Sequence, residues 1–139
     1  PSPLTDATTA AIEKNIEVVV CGAHLQGQPL NWQLTERGGQ FVSKTSSSPN
    51  YQLYALSDGK RPAMVRHDSE GTAIEVEVWS MPHTNFGSFV AGIPAPLGIG
   101  KVEMADGRWL SGFICDGFGL AGAENISRYG SWRNWLASR

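Results

Sequence analysis

A chain of 139 residues, 41% hydrophobic and 17% charged with a formal net charge of −2, is long enough for one domain with its own core. The weak net charge and the lack of a Lys/Arg cluster speak against a nucleic-acid surface, and no apolar run approaches a membrane span. Sixteen Gly and eight Pro favour strands and turns over long helices.

Residues 1–15 begin polar and Pro/Thr-rich and read as a linker or flexible tail, with a single domain over residues 16–139. The start at Pro1 rather than Met suggests a processed or excised chain. Residues 16–21 (IEVVVC) become fully apolar, as expected of a strand central in its sheet. Residues 29–37 (PLNWQLTER) suit a short helix, with Pro29 in its first turn and Gly38-Gly39 after it. A weakly alternating strand is expected at 40–45, a Ser-rich loop at 46–50, and a strand at 51–56. Residues 57–62 (SDGKRP) form a turn, and strands at 63–67 and 73–79 flank the turn Asp68-Ser69-Glu70-Gly71.

Phe86, Phe89, Val90 and Ile93 recur with helical spacing, and Pro94 and Pro96 stop that helix. Residues 99–104 and 109–115 read as a hairpin across Ala105-Asp106-Gly107-Arg108. Ser131 can cap a last short helix carrying Trp132, Trp135 and Leu136 on one face. The sum is an α+β fold: a mostly antiparallel, barrel-like sheet with two or three short helices, lacking the repeated alternation of a doubly wound sheet.

Gly22-Ala23-His24-Leu25 follows the valine strand directly. Small residues at a strand end can offer backbone N–H groups to a carboxylate, and a histidine there can donate to an anion or move a proton near neutral pH. The same pattern also serves an ordinary strand-to-helix turn with a surface histidine. Alternation in residues 74–79 (IEVEVW) puts Glu75, Glu77 and Trp79 on one face. A carboxylate beside an indole can act as an acid or base, or be a plain surface glutamate. Arg66 is suited to carboxylate recognition or to a surface ion pair. His67, His83 and the cysteines lack metal-ligand spacing, so no metal or cofactor is expected. The two cysteines, Cys21 and Cys115, lie in apolar runs as free thiols, which points to a reducing, cytoplasmic setting.

Taken together, VVVCGAHLQGQPLNWQL (18–34), residues 53–56, RPAMVR (61–66), AIEVEVW (73–79), PAPLGIGKVEMADGRWLSGFIC (94–115) and ENISRYGSWRNWL (124–136) resemble the C-terminal domain of allophanate hydrolase. That domain is similar in fold to the γ-glutamylcyclotransferases, whose first strand is followed by a Tyr-Gly-small-Leu loop. Here Cys21 takes the place of the Tyr, and Val76 that of the Gly before the cyclotransferase glutamate. The resemblance implies decarboxylation of N-carboxycarbamate, the product of an amidase-signature domain with a Ser-Ser-Lys triad, in urea degradation. It places catalysis on His24 and Glu77, and substrate binding on Gly22, Ala23, Leu25, Asn31, Tyr54 and Arg66. The implied partners are a small dicarboxylate substrate and an amidase domain, fused or separate, with homo-oligomerisation left open. The alternatives are a non-catalytic assembly module, built on the five Trp and the Gly-rich C-terminal half, and a γ-glutamylcyclotransferase-like enzyme.

Overall fold

The valine run lies at the centre of the larger of two sheets. In the computed structural model, which describes residues 15–139, strand β1 (Asn15–Val20) runs between β5 (Glu75–Pro82) and β7 (Trp109–Cys115). The expected tail at residues 1–15 falls almost wholly outside the described residues. The sheet order is β2-β5-β1-β7-β6, with β2 at Gln40–Ser46 and β6 at Leu97–Glu103. A second sheet of order β4-β3-β8 contains β3 (Tyr51–Ala55), β4 (Pro62–Arg66) and the two-residue β8 (Glu124–Asn125).

Pairing is antiparallel throughout except between β1 and β7, which run parallel through Val18↔Ser111 and Val19↔Gly112. The larger sheet curls until its two edges touch. Beyond the ends of β2 and β6, Ser47 pairs with Met104, and Ser48 N donates to Glu103 O (2.9 Å). The ladder stops there, so the sheet is barrel-like without being closed.

Both faces are covered over the second half of β1 and the middle of β5. Val18, Val19 and Val20 and residues Val76, Glu77, Val78 and Trp79 are all buried. Burying a Val side chain contributes about 1.5–3 kcal/mol, so this strand pair anchors the core. Strand β5 runs past Trp79 to Pro82 because the start of β1 pairs with it there, Asn15↔Pro82 to Glu17↔Ser80.

Among the described residues there are three short α-helices: α1 (Trp32–Glu36), α2 (His83–Ala91) and α3 (Trp132–Ala137). The helix expected over 29–37 begins only at Trp32, because residues 25–31 form successive turns. Helix α2 buries Phe89 and packs Phe86 against the core. Ser131 caps α3 as expected, its Oγ accepting from Asn134 N (3.0 Å), and Trp132 and Trp135 are buried. The hairpin across Ala105–Arg108 forms with Glu103 opposite Trp109. The Ser-rich segment is structural: Ser47 is fully buried, and its Oγ accepts from Ile74 N and donates to Ser48 O.

Candidate functional site

Where β1 ends, the chain folds into a chain of tight turns. Leu25 N donates to Gly22 O (3.0 Å), Gln28 N to Leu25 O (3.0 Å) and Leu30 N to Ala23 O (2.8 Å). Gly27 adopts φ +80°, a left-handed conformation that favours glycine. Gly22 is required for a different reason. A β-carbon there would overlap Cγ and Cδ of Pro62, the first residue of β4. Its smallness therefore lets the second sheet approach the loop, where the sequence suggested approach by a ligand. Among the described residues, no backbone acceptor takes the N–H of Ala23 or His24.

His24 is 9% exposed and sits between two aromatic rings, Phe89 of α2 (centroids 5.4 Å apart) and Phe113 of β7 (4.9 Å). Its Nε2–H donates to Gln33 Oε1 in α1 (2.7 Å). An amide oxygen only accepts, so this bond fixes the proton on Nε2 and leaves Nδ1 as the lone-pair nitrogen of the neutral ring. Burial holds the imidazole below its ordinary value, partly countered by the Gln33 bond, so the unliganded site holds a neutral histidine at pH 7.

The ring lines a cavity of about 80 Å³ together with Gly22, Ala23, Gln33, Arg61 and Phe113. That is room for a few water-sized groups. Arg61 is its cation: the guanidinium is held by Asp58 (Nε to Oδ2, 2.9 Å) and by Ala95 O (Nη1, 3.4 Å), and its side chain is 27% exposed. Cys21 also contributes to the wall, but burial pushes its thiol up to about 12, so it is an apolar filler rather than a nucleophile.

Of the residues suggested by sequence, Gly22, Ala23 and His24 are brought together in this cavity. Leu25 is 1% exposed and belongs to the core. Asn31 braces the loop from behind, its Nδ2 donating to His24 O (2.8 Å). Tyr54 and Arg66 are not part of the cavity lining. Tyr54, in β3, donates to Gln52 Oε1 (2.8 Å). Arg66 pairs with Glu103 (3.3 Å) and lies over the Trp109 ring (5.2 Å). Glu77 is 1% exposed and is also absent from the lining; its carboxylate accepts from Gln26 N (2.9 Å), Trp79 Nε1 (3.0 Å) and Arg133 Nη2 (2.8 Å).

Sequence reasoning missed Gln33, Arg61 and Arg133. Arg61 opens the same RPAMVR stretch whose second arginine drew attention, and the clue was its neighbour Pro62, which packs on Gly22. Gln33 follows His24 by nine residues, a distance no local pattern reads. Among the described residues, no group of three or more His, Cys, Asp or Glu is placed to hold a metal ion, and no helix is long and apolar enough to cross a membrane.

The chain is similar over most of its length to known proteins. The urea amidolyases of Saccharomyces cerevisiae and Lachancea kluyveri are 42% and 39% identical to it over 128 and 130 residues, 88% and 89% of this chain. The chain spans only 7% of the length of either relative. The allophanate hydrolase structure from Kluyveromyces lactis superposes with a TM-score of 0.86 at 38% identity, covering 90% of this chain and 21% of that one. A γ-glutamyl cyclotransferase structure, 13% identical with a TM-score of 0.54 over 81% of this chain and 70% of its own, shares the fold alone. The family profile described as allophanate hydrolase C-terminal domain matches residues 16–137, and the chain belongs to that family.

Proposed function

We propose that this domain decarboxylates N-carboxycarbamate, with His24 as the proton donor, working with an amidase domain in urea degradation. The observation that carries this reading is the cavity itself. A buried histidine with one nitrogen held by an amide shares a small pocket with one arginine and with Ala23, and among the described residues no backbone acceptor takes the N–H of Ala23 or His24. The substrate is a small dianion with a carboxylate on each side of one nitrogen. Arg61 is the cation suited to one carboxylate, and the N–H groups of Ala23 and His24 suit the other.

The step balances as follows. The dianion draws a proton from solvent onto Nδ1 of His24, converting the neutral ring to imidazolium. The C–N bond to one carboxylate breaks, its electron pair passes to nitrogen, and that carboxylate leaves as carbon dioxide. The imidazolium gives its Nδ1 proton to the nitrogen, leaving carbamate and the neutral ring. The share of the relatives outside this chain leaves room for the partner domain that would make the substrate.

An assembly module would draw on only two of the five tryptophans, the exposed Trp32 and Trp109, because Trp79, Trp132 and Trp135 are buried in this domain's own core. The test supplies the chain to an allophanate-hydrolysing amidase domain and follows carbon dioxide release. Acceleration that His24→Ala removes supports the reading; equal rates with and without the chain reject it. Release of 5-oxoproline from γ-glutamyl peptides would favour the cyclotransferase alternative.

A further inference from the structure

Beneath the His24 loop, Glu77 and Arg133 close a ring of contacts around a single residue. Gln26 N donates to Glu77 Oε1 (2.9 Å), while Gln26 O accepts from Arg133 Nη2 (2.7 Å). The same Nη2 also donates to Glu77 Oε2 (2.8 Å). Both backbone polar groups of the residue two positions after His24 are thus held by one ion pair. Trp79 Nε1 donates to the same Oε1 (3.0 Å) and fixes the carboxylate from its own strand.

From this geometry we infer that Glu77 and Arg133 are positioning residues, a clamp that sets the height and angle of the loop carrying His24. The inference rests on the reading of His24 as the proton donor. The carboxylate receives three N–H donors, two on Oε1 and one on Oε2, all of them from groups of the fold itself. Glu77 also stands outside the cavity lining, while Arg133 reaches it from α3, the last helix of the chain. The other terminal nitrogen of Arg133, Nη1, is 3.6 Å from Glu75 Oε2, which biases the guanidinium toward β5. The loop is therefore held at two points: Asn31 on His24 O, and the ion pair on Gln26. The arrangement converts burial of an ion pair into a fixed geometry, and misplacing a catalytic group by about 1 Å lowers rates about 100-fold.

The test uses the full chain carrying Glu77→Gln, Arg133→Ala, Arg133→Lys or the Glu77→Gln/Arg133→Ala pair. Three quantities are read: the His24 ring titration by NMR, amide exchange at residues 23–26, and amidase-coupled carbon dioxide release. A clamp predicts that Glu77→Gln and Arg133→Ala both speed loop exchange, move the His24 titration upward toward that of a solvated histidine, and lower kcat about 10–100-fold with KM nearly unchanged. The double variant is no worse than the more damaging single variant, because either change opens the same ring of contacts. Arg133→Lys keeps the charge without the fork and shifts each quantity in the same direction by less, so it decides the matter if Arg133→Ala does not fold. The clamp is overturned if folded variants keep the wild-type titration and exchange. It is equally overturned if Glu77→Gln abolishes turnover while Arg133→Ala leaves it intact, which would make Glu77 the acid. Titration and exchange need no turnover, so the clamp can stand even where the decarboxylase reading fails.

Discussion

His24 Nε2 lies 2.7 Å from Gln33 Oε1, which joins the first loop after β1 to helix α1. This bond does two things at once. It orients the ring between Phe89 and Phe113, and it assigns the proton to Nε2 so that Nδ1 carries the lone pair.

Gln33→Leu removes the acceptor while keeping the volume roughly constant. The Gln33 bond raises the His24 value against the larger effect of burial, so its loss lowers that value further. The expected outcome is a downward shift of the ring titration by NMR and a fall in kcat of about tenfold or more, within the usual range for general acid–base catalysis.

The depressed His24 value also makes a prediction about stability. In the unfolded chain the ring titrates near its ordinary value of 6.5, whereas the folded ring binds its proton at lower pH. Between those two points the unfolded state holds more protons, so stability rises with pH through the window and is flat above it. Thermal midpoints measured from pH 8 downward should fall once the pH passes about 6.5. In His24→Asn that part of the slope should disappear, and the difference between the two curves isolates this residue from the carboxylates that titrate lower.

Arg61 and Arg66 stand five residues apart on one stretch of sequence, and only Arg61 reaches the cavity. Arg61→Ala is expected to raise KM for the dianion about 10–100-fold, corresponding to the loss of a charge-assisted hydrogen bond of about 1.5–3 kcal/mol. Arg66→Ala is expected to leave KM unchanged, since it removes a partly exposed pair with Glu103. Steady-state kinetics of the two variants side by side decide between the arginines; equal KM effects would reject this assignment.

Most of the framework was legible because its signals are local. A continuous apolar run marked β1 as central, the Asp106-Gly107 turn marked the last hairpin, and Ser131 marked the start of α3. The site was only half legible. Alternation correctly placed Glu77 and Trp79 on one face of β5, but it did not say that Arg133, from the far end of the chain, would cover that face. Nor does a strand's sequence say which of two arginines turns toward a loop. That choice is made by the packing of Pro62 against Gly22, a contact between the first residue of β4 and the loop after β1. The parallel pairing of β1 with β7 and the two-residue β8 carry no periodicity long enough to read.

That packing gives its own prediction. Gly22→Ala places a methyl group where the Pro62 ring lies, so β4 must retreat from the loop. Overpacking of this kind costs about 1–3 kcal/mol. Chemical denaturation should show the lower midpoint with an unchanged slope. Because Arg61 directly precedes Pro62, the same variant should also weaken substrate binding, whereas Gly27→Ala, at a left-handed turn with open space around it, should destabilise without raising KM.

Ser131 separates stability from positioning at the other end of the chain. Its Oγ caps α3 by accepting from Asn134 N, and the helix it starts carries both Arg133 and the buried pair Trp132 and Trp135, whose rings lie 4.8 Å apart. Ser131→Ala should cost about 1 kcal/mol, read as a lower denaturant midpoint. The packed tryptophans still hold α3 in place in the folded molecules, so Arg133 keeps its reach to Gln26 and Glu77. Turnover per folded molecule and the His24 titration should therefore remain at wild-type values. A matching loss of turnover would mean that the cap, and not the tryptophan packing, sets where Arg133 stands.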